Sequence, residues 1–129
     1  MPTLLVCVEG SASLDDARVC GEHYEADLAS RQWTFRPAFV DQLDGLPVTA
    51  REDFPAIRTV GVVMTLPEPE QAGDEGAVRR DVAALLASMS ELARRAGIEF
   101  AVEYREEAIG FLDGGADDAR VLAEFFGDP

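Results

Sequence analysis

Lysine is absent from this chain of 129 residues, so all 11 of its basic residues are arginines. They stand against 25 aspartates and glutamates, which gives a formal net charge of −14 at pH 7. The acidic residues are spread along the chain and are not gathered in a tail, so we expect a negative potential over much of the surface. Nucleic acid and anionic membranes carry charge of the same sign, which excludes them as expected partners.

Cysteine and histidine are also scarce, with two cysteines and one histidine in the chain. Cys7 and Cys20 are too few for a disulfide framework, which favours reduced thiols in the cytoplasm. His23 cannot supply the paired ligands of a zinc site, and no CxxC or HxxxH spacing occurs. The chain also lacks the GxGxxG and P-loop motifs that bind phosphates, so we predict neither a metal nor a cofactor.

Long hydrophobic runs are missing as well. The apolar run Leu4–Val8 is too short for a membrane span, and no basic residue precedes it as in a signal peptide. We therefore expect a cytoplasmic protein. The length is that of one ordinary domain, and a hydrophobic content of 47% can fill a single core. Because no repeat or linker divides the chain, residues 1–129 are predicted to form one domain.

The strongest local pattern is a helix that runs directly into a strand. Apolar residues recur every three or four positions, as on one face of a helix, at Val78, Val82, Leu85, Met89, Leu92 and Ala96. Asp74 is a suitable N-cap for this helix, and Gly97 is a suitable stop. From Ile98 the period changes to two, which predicts a strand that runs to Tyr104, followed by a hairpin turn at Arg105–Glu107.

Shorter patterns predict the remaining elements. Apolar runs and alternations favour strands at Thr3–Val8, Gln32–Val40, Ile57–Leu66 and Ala108–Leu112. Pro37 cannot donate to a ladder, so it places the second of these strands at a sheet edge. Leu14–Leu28 has helical spacing, but its central glycine and a late alternation leave a strand as the alternative. A long loop is predicted at Asp41–Pro55, and Asp117 is predicted to cap a last helix.

This order of elements predicts an α+β fold, specifically a ferredoxin-like βαββαβ sandwich with an extra C-terminal strand and helix. In that arrangement both helices cover one face of the sheet, and the first and third strands lie at its centre. The other face is then apolar at its centre, where Leu5, Cys7 and Val63 lie. The C-terminal helix, a second copy of the chain or a partner must cover that apolar surface.

Three groups of residues could carry chemistry, but each has a simpler structural interpretation. Cys20 and His23 stand three apart, as a thiolate and its base could, yet no nucleophile motif surrounds them. The aspartates at 113, 117 and 118 could bind Ca²⁺, but they miss the EF-hand spacing and are typical of a helix start. Glu99 and Glu103 could act as acid and base, but such pairs on a strand usually form a solvated face. We therefore predict no catalytic residue.

The acidity is then the strongest functional signal. It can serve solubility alone, adaptation to a salty cytoplasm, or recognition of a basic partner. The third interpretation predicts a small binding protein that occludes a more basic protein. In size and charge, though in no motif, the chain resembles bacterial immunity proteins, which neutralise a toxin. The alternatives are an enzyme or ligand-binding domain that uses Cys7, Glu103 and Arg105 on the open sheet face, and a homodimer that buries that face.

Two acidic regions are predicted to contact a basic partner. One is the loop after the second strand, where apolar side chains that can serve as anchors accompany the charge. The other is the strand and turn after the main helix, which offers a stiffer platform. The predicted contact residues are Asp41, Asp44, Glu52, Asp53, Phe54, Glu99, Glu103, Glu106 and Glu107.

Overall fold

A computed structural model of the chain describes residues 2–44, 57–68 and 75–126. Within these ranges the protein is a mixed α+β structure with one five-stranded antiparallel sheet and three α-helices, so the predicted α+β class is confirmed. The strands are β1 (Thr3–Val8), β2 (Ala38–Asp44), β3 (Ile57–Thr65), β4 (Phe100–Tyr104) and β5 (Glu107–Leu112). The helices are α1 (Leu14–His23), α2 (Glu75–Ala96) and α3 (Ala119–Phe126).

The strands are ordered β2-β3-β1-β4-β5 across the sheet, so β1 and β3 are central, as their apolar patterns predict. Each neighbouring pair is antiparallel, and Leu5 of β1, for example, lies between Val63 of β3 and Glu103 of β4. β2 forms one edge of the sheet, which confirms the inference drawn from Pro37. β5 forms the other edge and pairs with β4 across the turn at Arg105–Glu106.

All three helices pack on one face of the sheet. The core between them is formed by alternate strand residues and by the apolar stripe of α2. Its fully buried side chains include Leu4, Val6, Val60, Val62, Met64, Leu85, Met89, Leu92, Phe100 and Val102. α3 lies over β5, where a β-carbon at Gly110 would come within 2.9 Å of the Val121 side chain. In the described ranges, no helix has the length and apolar character needed to cross a membrane.

α1 begins with a reciprocal capping box. The Ser13 hydroxyl accepts a hydrogen bond from the Asp16 N–H, and the Asp16 carboxylate accepts one from the Ser13 N–H, both at 3.0 Å. The chain continues as a π-helical turn at Tyr24–Leu28, so the helical prediction for this segment is confirmed and the strand alternative is wrong. Gly21 lies against the Phe39 ring, whose nearest carbon is 3.6 Å from the position that a β-carbon would take, an ordinary van der Waals separation.

α2 carries the predicted apolar stripe in its middle, where Val82, Leu85, Met89 and Leu92 are fully buried. At its end the prediction is wrong, because Ala96 is exposed and Ala93 is buried in its place. Gly97 ends the helix with a φ of +69°, a left-handed conformation that favours glycine. The strand that follows starts slightly later than its pattern predicts, at the first residue of β4. The predicted N-cap, Asp74, lies outside the described residues.

The predicted strand at Gln32–Val40 is wrong in its first half. The buried carboxylate of Asp81 on α2 accepts hydrogen bonds from the backbone N–H groups of Thr34 at 2.9 Å and Phe35 at 2.7 Å. These donors are bound to a helix side chain and do not pair with a neighbouring strand. β2 instead starts after the residues that are bound to Asp81, and it extends into the predicted loop Asp41–Pro55. Residues 45–55 of that loop lie outside the described ranges.

The C-terminal segment packs on the helical side of the sheet. A single 3₁₀ turn at Ala116–Asp118 precedes α3, so Asp117 lies in this turn and does not cap the helix as predicted. The Phe125 ring meets the Tyr104 ring edge-on, with centroids 4.7 Å apart. This contact attaches the last helix to β4.

Candidate functional site

The face of the sheet opposite the helices is the first candidate site. We define the open face as the strand residues that face away from the core. At its centre and β5 end these include Leu5, Cys7, Ala38, Val40, Gly61, Val63, Ala101, Glu103 and Phe111, and the polar residues Thr3, Gln42, Thr59 and Thr65 lie toward the strand ends. In one row across the sheet Leu5 lies between Val63 and Glu103, and in the next row Cys7 lies between Gly61 and Ala101. The centre of this face is therefore apolar, as predicted.

The last helix does not cover the open face. α3 packs on the other side of the sheet, through Val121 over Gly110 and Phe125 against Tyr104. In the described part of the chain, no helix packs against the open face, and Phe111 at its β5 end is 51% exposed. Of the three predicted covers, a second copy and a partner therefore remain.

Acidic side chains border the open face near β1, along β4 and in the turn after β4. We define the acidic border as Glu9, Glu99, Glu103 and Glu106. Glu9 and Glu99 are held side by side, because the Glu9 N–H donates to the Glu99 carbonyl at 2.9 Å. None of the four forms an ion pair with an arginine among the described residues, whereas several acids on the helices do, for example Asp15 with Arg18.

The alternative hypothesis, an enzyme that uses the open face, is not supported by the state of Cys7. Burial raises the pKa of the Cys7 thiol to about 11, and Glu103 and Glu9 contribute by destabilising the thiolate. The thiol is therefore protonated at neutral pH and is a weak nucleophile. Arg105, the third group of that hypothesis, pairs with Glu68 at 3.0 Å and lies over the ring of Tyr104, on the helical side of the sheet.

The residues predicted to bind a partner fall into four groups. Glu99, Glu103 and Glu106 lie together in the acidic border. Glu107 is the cross-strand partner of Tyr104, so it faces the helical side of the sheet. Asp41 is separated from them at the opposite edge, where it pairs with Arg58 at 2.7 Å, so its charge is already neutralised within the protein. Glu52, Asp53, Phe54 and the side chain of Asp44 lie outside the described parts of the structure.

A second polar constellation lies between the helices. Arg95 Nη2 lies 3.2 Å from His23 Nδ1, His23 Nε2 lies 2.8 Å from Ser88 Oγ, and the Ser88 hydroxyl donates to the Asp27 carboxylate. We call these four residues the polar chain. It connects α1 and the π-helical turn to α2, and His23 and Ser88 are both buried. Arg31 pairs with Asp27 at 3.0 Å at its outer end.

The donor and acceptor groups of these residues determine the direction of each hydrogen bond in the polar chain. Arginine can only donate, so His23 Nδ1 accepts from Arg95 and His23 Nε2 carries the proton that it donates to Ser88. Burial lowers the pKa of His23, and Arg95 and Arg31 add to this effect while Asp27 opposes it. The imidazole is therefore neutral and acts as a donor toward Ser88. It cannot take the serine proton as a general base does in a hydrolase.

The hypothesis that pairs Cys20 with His23 is not supported by this geometry. Both ring nitrogens of His23 are engaged within the polar chain. Burial raises the pKa of the Cys20 thiol to about 12, and Asp16 adds to the effect, so the thiol is protonated at neutral pH. A shallow groove of about 580 Å³ with mixed charges lies above the polar chain, and Glu22 and Glu91 line its rim.

The polar chain escaped the sequence analysis because its members are far apart in the chain. One signal was present: Ser88 comes three residues after Leu85 and four before Leu92, so it borders the buried stripe of α2. A hydroxyl at such a position needs a buried partner. Nothing in the sequence identified that partner as His23.

Comparison of the chain with protein-family models, with curated proteins and with solved structures gave no match. Among the described residues, no cluster of three or more histidine, cysteine, aspartate or glutamate side chains has the geometry to hold a metal ion.

Proposed function

We propose that this protein is a small acidic binding protein that occludes a more basic protein partner, in the manner of immunity proteins and antitoxins that inhibit a toxin. The contact surface is the open face together with the acidic border. The observation that carries this proposal is the position of that border: four carboxylates without an arginine partner in the described structure flank an apolar sheet surface that no described helix covers.

The two parts of this surface have different roles in binding. The apolar centre, which includes Leu5, Val63 and Phe111, can bury hydrocarbon against the partner and supply affinity. The carboxylates of Glu99 and Glu103 can steer a positively charged protein toward that centre and raise the association rate. Because these groups lie on paired strands and a tight turn, little conformational entropy is lost on binding.

Charge also favours a basic partner over a second copy of the chain. A symmetric dimer through the open face would bring two acidic borders, each with four carboxylates, into one interface. Each chain would also carry its net charge of −14 into the contact. Like charges facing one another across an interface oppose association, whereas arginines and lysines of a partner would complement them.

The proposal extends to the fold type and the compartment. The strand order β2-β3-β1-β4, with two helices on one face and an added edge strand, supports a ferredoxin-like arrangement with a C-terminal extension. Cys7 and Cys20 are both free buried thiols, which suits a reducing cytoplasm.

The test compares two double charge reversals that change the net charge equally. Glu99→Arg with Glu103→Arg alters the acidic border, and Glu25→Arg with Glu75→Arg alters exposed acids on the helical side. Each variant and the wild type are used to capture proteins from the source cell at low salt, and association with the captured basic protein is then timed by stopped flow.

We expect the border variant to associate severalfold more slowly than the helical-side control and with a flatter salt dependence. Melting curves of both variants provide the check on folding. Equal rates for the two variants would show that the border is not the contact surface. If no basic protein is retained even by the wild type, the proposed function is wrong and the acidity serves solubility.

A further inference from the structure

The two edges of the sheet differ in their protection against pairing with another chain. Natural proteins protect such edges with proline and with charged residues inside the strand. β2 follows Pro37 and carries Asp41 and Asp44. The stretch Ala108–Leu112 of β5 has neither a charge nor a proline, and no strand in the described ranges pairs with its outer side.

The turn at Arg105–Glu106 determines which backbone groups of β5 point outward. Both residues have positive φ, 54° and 68°, as in a two-residue hairpin of type I′. Tyr104 and Glu107 flank this turn and form the hydrogen-bonded pair of such a hairpin. The next pair, Glu103 and Ala108, is then of the non-hydrogen-bonded kind. The N–H and C=O groups of Ala108 therefore point away from β4 and are available to another strand.

A groove of about 330 Å³ runs along this outer edge, between β5 and α3. Its strand side is formed by three consecutive residues, Ile109–Phe111. Successive side chains of a strand point to opposite faces, so only the edge of the strand can present all three to one groove. The register of β5 shifts opposite Val102 and Glu103, and a bulge of this kind re-aims a side chain, here that of Ile109. Val121 lines the α3 side.

The charged lining of the groove is strongly acidic. Asp113, Asp117, Asp118 and Glu124 face it, against a single arginine, Arg120, which lies 3.7 Å from Asp117. Burial alone would raise the pKa of Asp118, but hydrogen bonds from the Ser90 hydroxyl and from the N–H groups of Asp113 and Gly114 outweigh it and lower the pKa. Asp118 is therefore ionised, and the groove carries excess negative charge at neutral pH.

We propose that this groove binds an extended, basic segment of the partner protein, which adds to β5 as a further strand of the sheet. The inference rests on the proposed function, because it takes the partner to be basic. Addition of a strand uses the free backbone groups of the edge for affinity, and the acidic lining selects lysine and arginine side chains. Phe111 belongs both to the groove and to the open face, so one partner can contact both surfaces.

A second copy of this chain fits the groove less well. Pairing of β5 with its own copy would place two acidic grooves against each other, and the one arginine in each lining, Arg120, is outnumbered by four acids. The basic segment is therefore the occupant to which the charge of the groove is complementary.

The experiment uses the full chain and a short synthetic peptide of alternating arginine and valine at low ionic strength. Amide NMR should show shifts confined to β5 and to the lining residues of α3, with slowed exchange of the Ala108 N–H. The matched control is the same peptide N-methylated at alternate residues, which keeps charge and apolar groups but cannot pair as a strand. We expect the N-methylated peptide to bind at least about tenfold more weakly than the unmodified peptide, since each backbone hydrogen bond contributes a few-fold in affinity.

Two protein variants separate strand addition from charge. Ala108→Pro removes the outward donor and should weaken the peptide without lowering the melting temperature much, since proline is tolerated at an edge. Glu124→Arg should weaken it severalfold, whereas the matched reversal Glu25→Arg, remote from the groove, should not. Equal binding of the N-methylated peptide, shifts on the open face alone, or no binding at all would each overturn the inference.

These outcomes are distinguishable from failure of the proposed function. If the basic partner is captured but neither the peptide nor Ala108→Pro has an effect, the groove proposal is wrong and the proposed function stands. If the peptide binds β5 but no basic protein is captured, the groove stands without the occluding function. A dimer in sedimentation that Ala108→Pro abolishes would identify a second copy as the occupant and overturn the inference.

Discussion

Mild acid should destabilise this protein through His23. In the folded state, burial together with Arg95 and Arg31 lowers the pKa of this imidazole below its ordinary value of 6.5. Below pH 6.5 the unfolded chain therefore binds a proton that the folded chain does not. The stability contributed by the neutral histidine is complete above that pH and is lost as the pH falls toward the folded pKa.

The expected change in the free energy of unfolding has two sources, the proton that His23 binds and the hydrogen bond that it loses. A difference of one bound proton changes the free energy of unfolding by at most about 1.4 kcal/mol per pH unit. A proton on His23 Nδ1 would face the donor Arg95 at 3.2 Å, so a hydrogen bond between the helices would become a contact between two cations. The loss of such a part-buried hydrogen bond from a charged donor costs about 1 to 3 kcal/mol.

Urea unfolding between about pH 8 and pH 5 measures this effect. The range stays above the region in which Asp27 and Asp118 titrate, since hydrogen bonds hold the pKa of each below the ordinary 3.8. The control is His23→Gln, whose amide can donate to Ser88 and accept from Arg95 without titrating. We expect the wild type to lose stability below pH 6.5 and the variant to change little. Parallel profiles, or a wild type that gains stability on acidification, would refute the assignment of a neutral, donating His23.

Three further perturbations test the packing by thermal or denaturant unfolding. Leu85→Ala on α2 should cost about 2 to 5 kcal/mol, because this side chain is fully buried, and a loss below about 1 kcal/mol would contradict the assignment of the core. Gly61→Ala should cost about 1 to 3 kcal/mol, since the new β-carbon would lie 2.0 Å from a backbone oxygen of β1, whereas Gly76→Ala meets nothing within 4 Å and should stabilise α2 by up to about 1 kcal/mol. Equal effects of the two glycine variants would argue against the close approach of β3 to β1. Truncation after Leu112 removes the contacts that Phe125 makes and should lower the melting temperature or cause aggregation, and an unchanged, soluble product would show that α3 is dispensable.

Periodic segments were predictable because their environment repeats. The stripe on α2 and the apolar patterns of β1 and β3 reflect burial that recurs at a fixed spacing, so element type and central position followed from sequence alone. The stretch before β2 was not predictable. Its alternation of Trp33 and Phe35 is that of a strand, but Asp81, distant in the chain, binds the backbone there and prevents pairing.

The candidate sites show the same division. The apolar centre of the open face followed from the patterns of two strands, and Glu99 and Glu103 of the acidic border from an alternation on a third, whereas Glu9 was not predicted. The polar chain depends on the packing of α1 against α2, which brings His23 to Ser88. No local sequence pattern predicts this contact between residues of two helices. The β5 groove likewise depends on the placement of α3 over Gly110, which only the tertiary structure reveals.

The central position of β1 has a consequence for the order in which the chain folds. Its two neighbours are β3 and β4, and Leu5 pairs with Glu103, near the other end of the sequence. During synthesis on a ribosome, β1 is made long before its later partner β4 emerges. Until then the apolar side chains of β1 are not covered by a complete sheet. The hairpin of β4 and β5 can form locally, but pairing of β1 with β4 must bring together residues as distant in the chain as Leu5 and Glu103. Slow folding and a need for protection during synthesis follow from this topology.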